Sequence, residues 1–268
     1  LNRLEAEIGR KILERGPTGV RPTPLGDRIY AHARQIRDEI EQIERHLRNE
    51  ERAESSAIRF GALPSLSVSI IPSAVAQWRQ LHPDRALEIV QKVQIELLEG
   101  LLARDLDFTI GVTDIYDLFE GLRQRVLFRE RLHVIARKDH PLFGGPAVGW
   151  EDVGRCHWIT PPAGRHSTLL DIILQAEGLP PPTATTFSAS ISMLKSLVAS
   201  GDSLALLPLH AVDGEIAEGK LAILPITSPL LQRNIAVFLR EGYQLNQDQA
   251  DFVECTRSVG LALSRGAS

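Results

Sequence analysis

Residues 1–35, LNRLEAEIGRKILERGPTGVRPTPLGDRIYAHARQ, hold the pattern that decides the first part of the fold. Gly-Pro-Thr-Gly at 16–19 is a turn inside a short basic segment, and a longer helix starts near Leu25. A helix, a turn, a basic hairpin and a long helix follow one another in winged DNA-binding modules. The stretch therefore predicts the end of such a module, beginning part-way along a helix. The apolar residues that recur at helical spacing at its start are Leu1, Leu4, Ile8 and Ile12.

The same residues resemble the second half of the DNA-binding domain of LysR-type transcriptional regulators. That family reads roughly I-x-x-LE-x-x-LG-x-x-LF-x-R and then V-x-LT-x-x-G-x-x-L-x-x-x-A. This chain departs from the pattern at Leu13, where the family favours Phe, and at Pro22, where the family favours Leu. The positions that it keeps, in order, are Leu4-Glu5, Ile8-Gly9, Arg15, Val20, Thr23, Gly26 and Ala33.

The resemblance implies that residues 1–24 are a partial winged helix-turn-helix, made of the end of the recognition helix and the wing. The base-reading part of the recognition helix is then expected to be missing. The remaining DNA-binding residues would contact phosphates, which position a protein without reading the sequence. We therefore expect this chain alone to bind DNA weakly or not at all. The residues expected to contact DNA are Arg3, Arg15, Arg21 and Thr23.

The charge is unevenly distributed. Residues 1–28 carry six Lys and Arg against four Asp and Glu, a net charge of +2, and the remaining residues carry 24 against 30, a net charge of −6. A small basic tip on an acidic body fits a DNA-contacting module beside a sensory domain. A chance fluctuation is the alternative, because the difference is small.

The composition also limits the class of protein. No run of about 18 apolar residues is present, which predicts that no helix spans a membrane, and no signal peptide is visible. These features favour a cytoplasmic protein. Cys156 and Cys255 match no metal-ligand spacing and are expected to be buried thiols in a reducing compartment rather than a disulfide. A redox sensor is the alternative.

Residues 25–56 are predicted to be a linker and dimerisation helix followed by a hinge. The apolar residues of the helix are spaced by 4, 3, 4, 3 and 4 positions, which is a heptad seam. So narrow an apolar stripe is buried against one partner helix, which predicts a homodimer. A surface helix packed on its own domain is the alternative. The predicted dimer interface consists of Ile29, Ala33, Ile36, Ile40, Ile43 and Leu47.

Residues 57–268 alternate short apolar strands with helices, which predicts an α/β domain with a largely parallel sheet. The LysR resemblance continues here, for example through FGALPSLSVSIIPSAVAQWRQLHPDRALEI and LKSLVASGDSLALLP, and covers nearly the whole chain. It implies a type 2 periplasmic-binding-protein-like effector domain of two Rossmann-like lobes. The implied boundaries are about 57–135 and 233–268 for lobe I and about 136–232 for lobe II, with crossover strands near 133–138 and 226–236.

A ligand is expected beyond the carboxyl ends of the strands, where free N–H groups at helix N-termini favour anions. Two turns with hydroxyl residues are expected at such positions, each between a strand and a helix: Pro64-Ser65-Leu66 and the segment 188–192. The resemblance implies that the turns face each other across the cleft, and that Ser65 and Ser190 hold a ligand carboxylate or oxyanion. The alternative is that both serines only cap helices.

Relatives often carry Arg or Thr at the strand end where this chain has Val112, so a cation for an anionic ligand would come from elsewhere. Arg165 and His166 are candidates, with a solvated loop as the alternative. The expected effector-binding residues are Pro64, Ser65, Leu66, Gln94, Thr113, Thr160, Pro161 and Ser190.

The sequence contains no H-x-x-x-H or H-E-x-x-H pair, no G-x-S-x-G elbow, no Walker loop and no G-x-G-x-x-G after a strand. We therefore expect neither an enzyme nor a metal or cofactor site. The resemblance implies a regulator whose effector, an organic acid or other oxyanion, closes the cleft and controls transcription allosterically. It implies DNA, the effector, further copies in a dimer or tetramer, and RNA polymerase as partners. The alternatives are a periplasmic-type solute-binding protein of a transporter and a dimeric metabolite sensor that does not contact DNA.

Overall fold

The described residues of the chain, in a computed structural model, fall into two compact units, one within 1–55 and one within 56–268. Several predicted residues lie outside the described part: Arg3, Ala33, Ile36, Ile40, Ile43, Leu47, the hinge at 49–56, Arg165 and His166. The structure describes residues 5, 9–16, 19–26, 29–30, 57–113, 120–145, 147–162, 168–182 and 184–265.

The first unit contains the predicted hairpin. Strand β1 (Leu13–Gly16) pairs antiparallel with β2 (Gly19–Pro22), and the register places Arg15 opposite Val20 and Glu14 opposite Arg21. The base of the hairpin is held by Glu5, whose carboxylate accepts hydrogen bonds from the backbone N–H groups of Ile12 at 2.8 Å and Leu13 at 3.1 Å. These two backbone bonds lower the pKa of the Glu5 carboxyl.

Thr23 connects this hairpin to the helical residues that follow. Its hydroxyl donates to the carbonyl oxygen of Ile12 at 3.1 Å and accepts from the N–H of Gly26 at 3.0 Å, so that Thr23 caps a helix starting at Pro24. A Cβ on Gly26 would collide with the Ile12 carbonyl oxygen, which explains the glycine there. Ile29 lies in the described helical turn at 29–30 and is half-buried.

The second unit is built on one mixed sheet with the strand order β4-β3-β5-β11-β6-β9-β7-β8, and β10 pairs with β6. Within it, β3, β4 and β5 are parallel, and so are β7, β8 and β9, whereas β6 and β11 run antiparallel to their neighbours. The strands are β3 (Ile58–Ala62), β4 (Leu87–Gln91), β5 (Phe108–Val112), β6 (Leu122–Arg137), β7 (His157–Thr160), β8 (Ala184–Phe187), β9 (Ser203–Pro208), β10 (Leu221–Ile223) and β11 (Gln232–Arg240).

Seven helices of the described part pack on this sheet. As predicted, the strands β3, β4 and β5 of lobe I are parallel, and so are β7, β8 and β9 of lobe II. The strands that join the lobes, β6 and β11, are antiparallel to their neighbours. The helices are α1 (Ile70–Leu81), α2 (Gln94–Leu102), α3 (Trp150–Gly154), α4 (Leu169–Ala176), α5 (Ile191–Ser200), α6 (Asp213–Ala217) and α7 (Gln247–Arg265).

The two long strands β6 and β11 cross from one lobe to the other. Strand β11 pairs with β5 of lobe I only from Ile235 onward, and β6 pairs with β9 of lobe II only from Leu132 onward. Between these points, at 129–131 and 232–234, the strands pair with each other. The crossover on β6 thus lies a few residues before the segment expected near 133–138. Glu130 and Arg233 face each other in this register.

Each lobe has its own apolar core. In lobe I, the rings of Phe60 and Phe108 stack with centroids 5.2 Å apart, and Phe252 of α7 lies 4.4 Å from Phe60. In lobe II, the buried Trp158 indole donates to the carbonyl oxygen of Val153 at 2.8 Å. Each core thus closes within its own lobe, and the crossover strands β6 and β11 connect the two lobes. Among the described residues, no helix has the length and apolarity needed to cross a membrane.

Candidate functional site

A pocket of about 120 Å³ lies where the carboxyl ends of the parallel strands of both lobes meet. This is the position at which open α/β sheets bind ligands. Its volume is sufficient for several water molecules or a small organic molecule. The wall is mostly apolar with a few polar groups, as in other small-molecule sites. The lining residues are Leu63, Pro64, Ser65, Val93, Gln94, Val112, Pro161, Pro162, Ser188, Ala189, Ile191, Leu194, Leu206, Leu207, Pro208 and Arg233.

The first predicted turn, Pro64-Ser65-Leu66, does not open a helix. Residues 64–69 form turns, and α1 begins only at Ile70, so that Ser65 is not a helix cap. Its hydroxyl instead accepts a 2.9 Å hydrogen bond from Nη2 of Arg233. Pro64 and Ser65 line the pocket, whereas the Leu66 side chain is fully buried in the lobe I core and is not exposed to a ligand.

The second predicted turn faces the first through Ser188 and Ala189 rather than through Ser190. Ser190 is exposed and caps α5, because its hydroxyl accepts from the N–H of Met193 at 3.3 Å. It is not among the residues that line the pocket. The two serines therefore have different surroundings: Ser65 accepts a hydrogen bond from Arg233 in the pocket wall, whereas Ser190 caps a helix outside the pocket lining.

Gln94 is the first residue of α2 and points into the pocket wall. It is 4% exposed, and its side-chain oxygen accepts from the N–H of Val112 at 3.1 Å. Its Nε2 has no hydrogen-bond partner among the described residues. An unpaired buried donor costs about 1–3 kcal/mol.

The other predicted residues have different surroundings. Pro161 lines the pocket. Thr160 is buried beside it, with a hydroxyl that has no partner in the described part of the chain. Thr113 is not among the lining residues, and its N–H donates to the carbonyl oxygen of Asn234 at 3.1 Å, connecting the end of β5 to β11.

Arg233 supplies a pocket cation that the sequence reasoning missed. Its Nε donates to one oxygen of Glu130 at 2.6 Å, and its Nη2 lies 2.5 Å from the same oxygen. Burial acts to raise the pKa of the Glu130 carboxyl, but Arg233 and His210 outweigh burial and hold that pKa below its ordinary value. Glu130 is therefore ionised at neutral pH, and it forms an ion pair in which the carboxylate is buried and the guanidinium is partly exposed at the pocket.

Two signals in the sequence point to this pair in retrospect. Arg129-Glu130-Arg131 lies between the apolar runs 126–128 and 134–136, and Gln232-Arg233-Asn234 precedes the apolar run 235–239. A charged residue within an apolar strand requires a partner when it is buried. Which partner it has depends on strand register, which neither triplet reveals by itself.

The two cysteines do not form a disulfide, and both are partly buried free thiols. Burial, followed by the nearby carboxylates of Asp152 and Asp202, raises the pKa of Cys156. Burial, followed by Asp251 and Glu254, raises the pKa of Cys255. Because the thiolate is the reactive form, neither environment suits a redox sensor.

We expect both native thiols to react with hydrogen peroxide or iodoacetamide at pH 7.4 no faster than free cysteine does. The raised pKa values of Cys156 and Cys255 lower the thiolate fraction below the few per cent of an ordinary thiol. Mass spectrometry of timed samples measures this, with the urea-unfolded chain as the control that should react at the rate of free cysteine. Faster labelling of the native chain would restore the redox interpretation.

No group of three or more His, Cys, Asp or Glu side chains in the described part of the chain is placed to hold a metal ion. Residues 51–260 match the LysR substrate binding domain. The chain belongs to the LysR family. The match confirms the resemblance seen in the sequence, and the α/β, type 2 periplasmic-binding-protein-like fold is confirmed with it.

LysR-family relatives cover most of the chain. The uncharacterized HTH-type transcriptional regulator YdcI of Escherichia coli strain K12 is 29% identical over 230 residues, which are 84% of this chain and 74% of the relative. The HTH-type transcriptional regulator GalR of Pseudomonas putida strain KT2440 is 27% identical over 257 residues. That alignment covers 96% of this chain but only 64% of GalR, so the chain spans less than two thirds of that relative.

Solved structures of LysR regulators share the fold. The effector binding domain of a BenM variant superimposes with a TM-score of 0.64 at 23% identity, over 78% of this chain and 96% of that domain. A full-length OxyR variant from Pseudomonas aeruginosa gives a TM-score of 0.61 at 23% identity, over 96% of this chain and 87% of that protein. The chain is thus a LysR-family regulator with an effector-binding domain, and it is not an enzyme.

Proposed function

We propose that the effector domain binds a small organic acid or another oxyanion in the pocket between its lobes. The observation that supports this proposal is Arg233, a cation that lines a mostly apolar pocket. It lies on the crossover strand β11, forms an ion pair with Glu130 and donates a hydrogen bond to Ser65. A short apolar group would fill the wall, and its carboxylate would replace water at Arg233. Charge-assisted hydrogen bonds of this kind are about twice as strong as neutral ones.

The donors of the pocket match such a ligand. Arg233 approaches from the crossover strand, and Gln94 of lobe I has an unpaired amide N–H buried in the wall, which a small movement of the wall would bring to a ligand. No carboxylate is among the lining residues in the described part of the chain. A ligand rich in acceptor atoms is therefore favoured over a cation. Because both lobes contribute wall residues, a bound acid would draw the lobes together around the crossover strands.

The steps that link ligand binding to transcription are proposed by analogy with the LysR family. We infer that lobe movement alters the geometry of a homodimer or tetramer, formed through the seam that includes Ile29, and so the spacing of its DNA-binding heads. The winged segment would contribute Arg3, Arg15 and Arg21 to phosphate contacts, in a cytoplasmic regulator that acts on RNA polymerase. The hydroxyl of Thr23 already donates to the carbonyl oxygen of Ile12 and accepts from the N–H of Gly26. To contact a phosphate as well, it would have to share its proton between the phosphate and that carbonyl oxygen.

A thermal-shift screen of small organic acids, sugars and inorganic anions tests the proposed ligand class. A ligand at 100 times its dissociation constant adds about 2.7 kcal/mol of stability, which is about 5–10 °C in a domain of this size. Ser65→Ala is expected to weaken a hit about three- to tenfold, since one hydrogen bond contributes about 0.5–1.5 kcal/mol.

Ser190→Ala is the matched control, because it also removes a serine hydroxyl from a turn at the cleft. It should lower the melting temperature of the free protein through loss of the α5 cap, which costs about 1 kcal/mol. The shift produced by the acid should stay unchanged. Equal losses of ligand response in the two variants, or hits confined to neutral sugars, would contradict the proposed site.

A further inference from the structure

The pocket provides one cation for a ligand. Among its lining residues in the described part of the chain, Arg233 is the only Lys, Arg or His. Its contacts with Glu130 and Ser65 use Nε and Nη2, so Nη1 is the guanidinium nitrogen that takes no part in them. Glu130 already balances the charge of Arg233. A ligand with one carboxylate can therefore use Nη1, whereas a second carboxylate would find no cation in the wall.

Ser65 supplies a second donor at the same end of the pocket. Its hydroxyl accepts the 2.9 Å hydrogen bond from Nη2 of Arg233, and a serine hydroxyl also has one proton to donate. Because Ser65 lines the pocket, that proton is free to bind the second oxygen of a carboxylate at Nη1. One carboxylate would thus have a donor for each oxygen, and the bond from Arg233 would be charge-assisted.

The other polar side chains of the lining are bound to the protein itself. The hydroxyl of Ser188 donates to the carbonyl oxygen of Ser190 at 3.3 Å and accepts from the N–H of the same residue at 3.2 Å. The side-chain oxygen of Gln94 accepts from the N–H of Val112, which leaves its buried Nε2 as the unpaired group. A sugar acid carries several hydroxyls, and most of them would be buried here without a partner, which is unfavourable.

The remaining wall is aliphatic. It consists of leucine, isoleucine, valine, proline and alanine residues from both lobes, and no Phe, Tyr or Trp is among the lining residues in the described ranges. An aromatic ligand would therefore have no ring to stack against. Apolar contact with an alkyl chain, in contrast, needs no directional partner. The composition of the wall thus favours an aliphatic ligand over an aromatic one.

The volume of the pocket limits the length of such a chain. It is about 120 Å³, which is less than the volume of an engineered cavity, about 150 Å³, that binds benzene. A benzene ring together with a carboxylate would therefore not fit without expansion of the pocket. At the packing density of a protein interior, ligand atoms would fill roughly 90 Å³ of this space, which is the volume of an acid with about four carbons.

We propose that the effector is a short aliphatic monocarboxylate of about three to five carbons. Its carboxylate would contact Nη1 of Arg233 and the hydroxyl of Ser65, and its alkyl chain would lie between the apolar walls of the two lobes. This inference rests on the proposed binding of an acid at Arg233, and it narrows the ligand to one class of acid. Dicarboxylic, aromatic and sugar acids are excluded by charge, volume and unpaired hydroxyls, respectively.

NMR titrations of the full chain with acetate, propionate, butyrate, valerate and hexanoate test the chain length. Each methylene that enters the pocket removes apolar surface from water and should tighten binding about fourfold. The affinity is expected to rise from acetate to butyrate or valerate and to fall at hexanoate, which is too long for the pocket. Succinate, benzoate and gluconate should each bind at least about tenfold more weakly than butyrate.

Ile191→Ala tests whether the apolar wall sets this limit. Ile191 is the first residue of α5, is half-buried and lines the pocket. Its replacement by alanine removes most of the side chain from the wall, so the best ligand should become longer by about two carbons, and hexanoate should bind more tightly than butyrate. Met193→Ala is the matched control, because Met193 lies on the same helix but is exposed and outside the lining. It should keep the order of affinities of the wild type.

The outcomes separate this inference from the proposed function. Succinate, benzoate or gluconate that binds more tightly than every aliphatic monocarboxylate, and loses affinity in Ser65→Ala, would overturn the ligand class and leave the anion site standing. Equal affinities from acetate to hexanoate, or an unchanged best ligand in Ile191→Ala, would also overturn the class. If none of the acids binds, the proposed site at Arg233 is wrong, and this inference fails with it.

Discussion

Replacing Glu130 with alanine is expected to lower the free energy of unfolding by about 3–5 kcal/mol, because it leaves Arg233 buried without its counterion. Glu130 is 3% exposed, and the Arg233 side chain is 13% exposed at the pocket wall, so water compensates only in part for the lost carboxylate. His210 loses the same partner. Urea unfolding at pH 7 measures the change.

Glu88→Ala is the matched control for this measurement. Glu88 also forms an ion pair with an arginine, Arg59, at 3.2 Å, but its side chain is half exposed. Exposed pairs contribute about 0–1 kcal/mol, so this variant should unfold close to the wild type. If Glu130→Ala lowers the free energy of unfolding by less than about 1 kcal/mol, the ion pair of Glu130 and Arg233 is hydrated.

The stability provided by Glu130 has a definite pH dependence. Its pKa in the folded chain is held below the ordinary value of 4.5 by Arg233 and His210, against the opposing effect of burial. A lowered folded-state pKa adds stability at pH values above the unfolded-state pKa, and this stability is lost as pH falls through the folded-state value. The difference in free energy of unfolding between the wild type and Glu130→Ala should therefore be largest at pH 7 and become smaller below about pH 4.5.

Local sequence rules predicted most elements of the second unit. Strands and helices alternate as predicted for residues 57–268, and α5 (Ile191–Ser200) follows the predicted turn at 188–192 directly. The turn Pro64-Ser65-Leu66 was expected at a helix N-terminus, but α1 begins only at Ile70; the expectation was wrong because the Pro64-Ser65 pair has the composition of a helix start. The segment is held in turns because Leu66 packs into the core and Ser65 is bound by Arg233.

The site was predictable only in part. Pro64, Ser65, Gln94 and Pro161 line the pocket, since strand ends can be located from sequence and strands of one direction end at one edge. Arg233 and its partner were not found because they are separated by 103 positions. Their contact depends on the register of two crossover strands, and a shift of one residue would turn either side chain to the other face.

The double variant Glu130→Gln with Arg233→Met is expected to separate stability from ligand binding. Arg233→Met alone should be about as destabilising as Glu130→Ala, since it leaves the carboxylate buried. In the double variant both charges are absent, the introduced glutamine still offers His210 an acceptor, and the introduced methionine fills the volume of the arginine stem. Neutral replacements of buried ion pairs are often tolerated, so unfolding should return to within about 1–2 kcal/mol of wild type.

Binding of acids should not return with stability. Charge-assisted hydrogen bonds contribute about 1.5–3 kcal/mol, so the double variant is expected to bind any acid found in the screen about ten- to a hundredfold more weakly. The amide of the same acid should bind at least as well as it does to the wild type. Calorimetric titrations of both compounds, beside urea unfolding of the same samples, measure the two effects together. A stable double variant that still prefers the acid would place the cation outside the crossover, whereas one that prefers the amide would assign the charge selectivity of the pocket to Arg233.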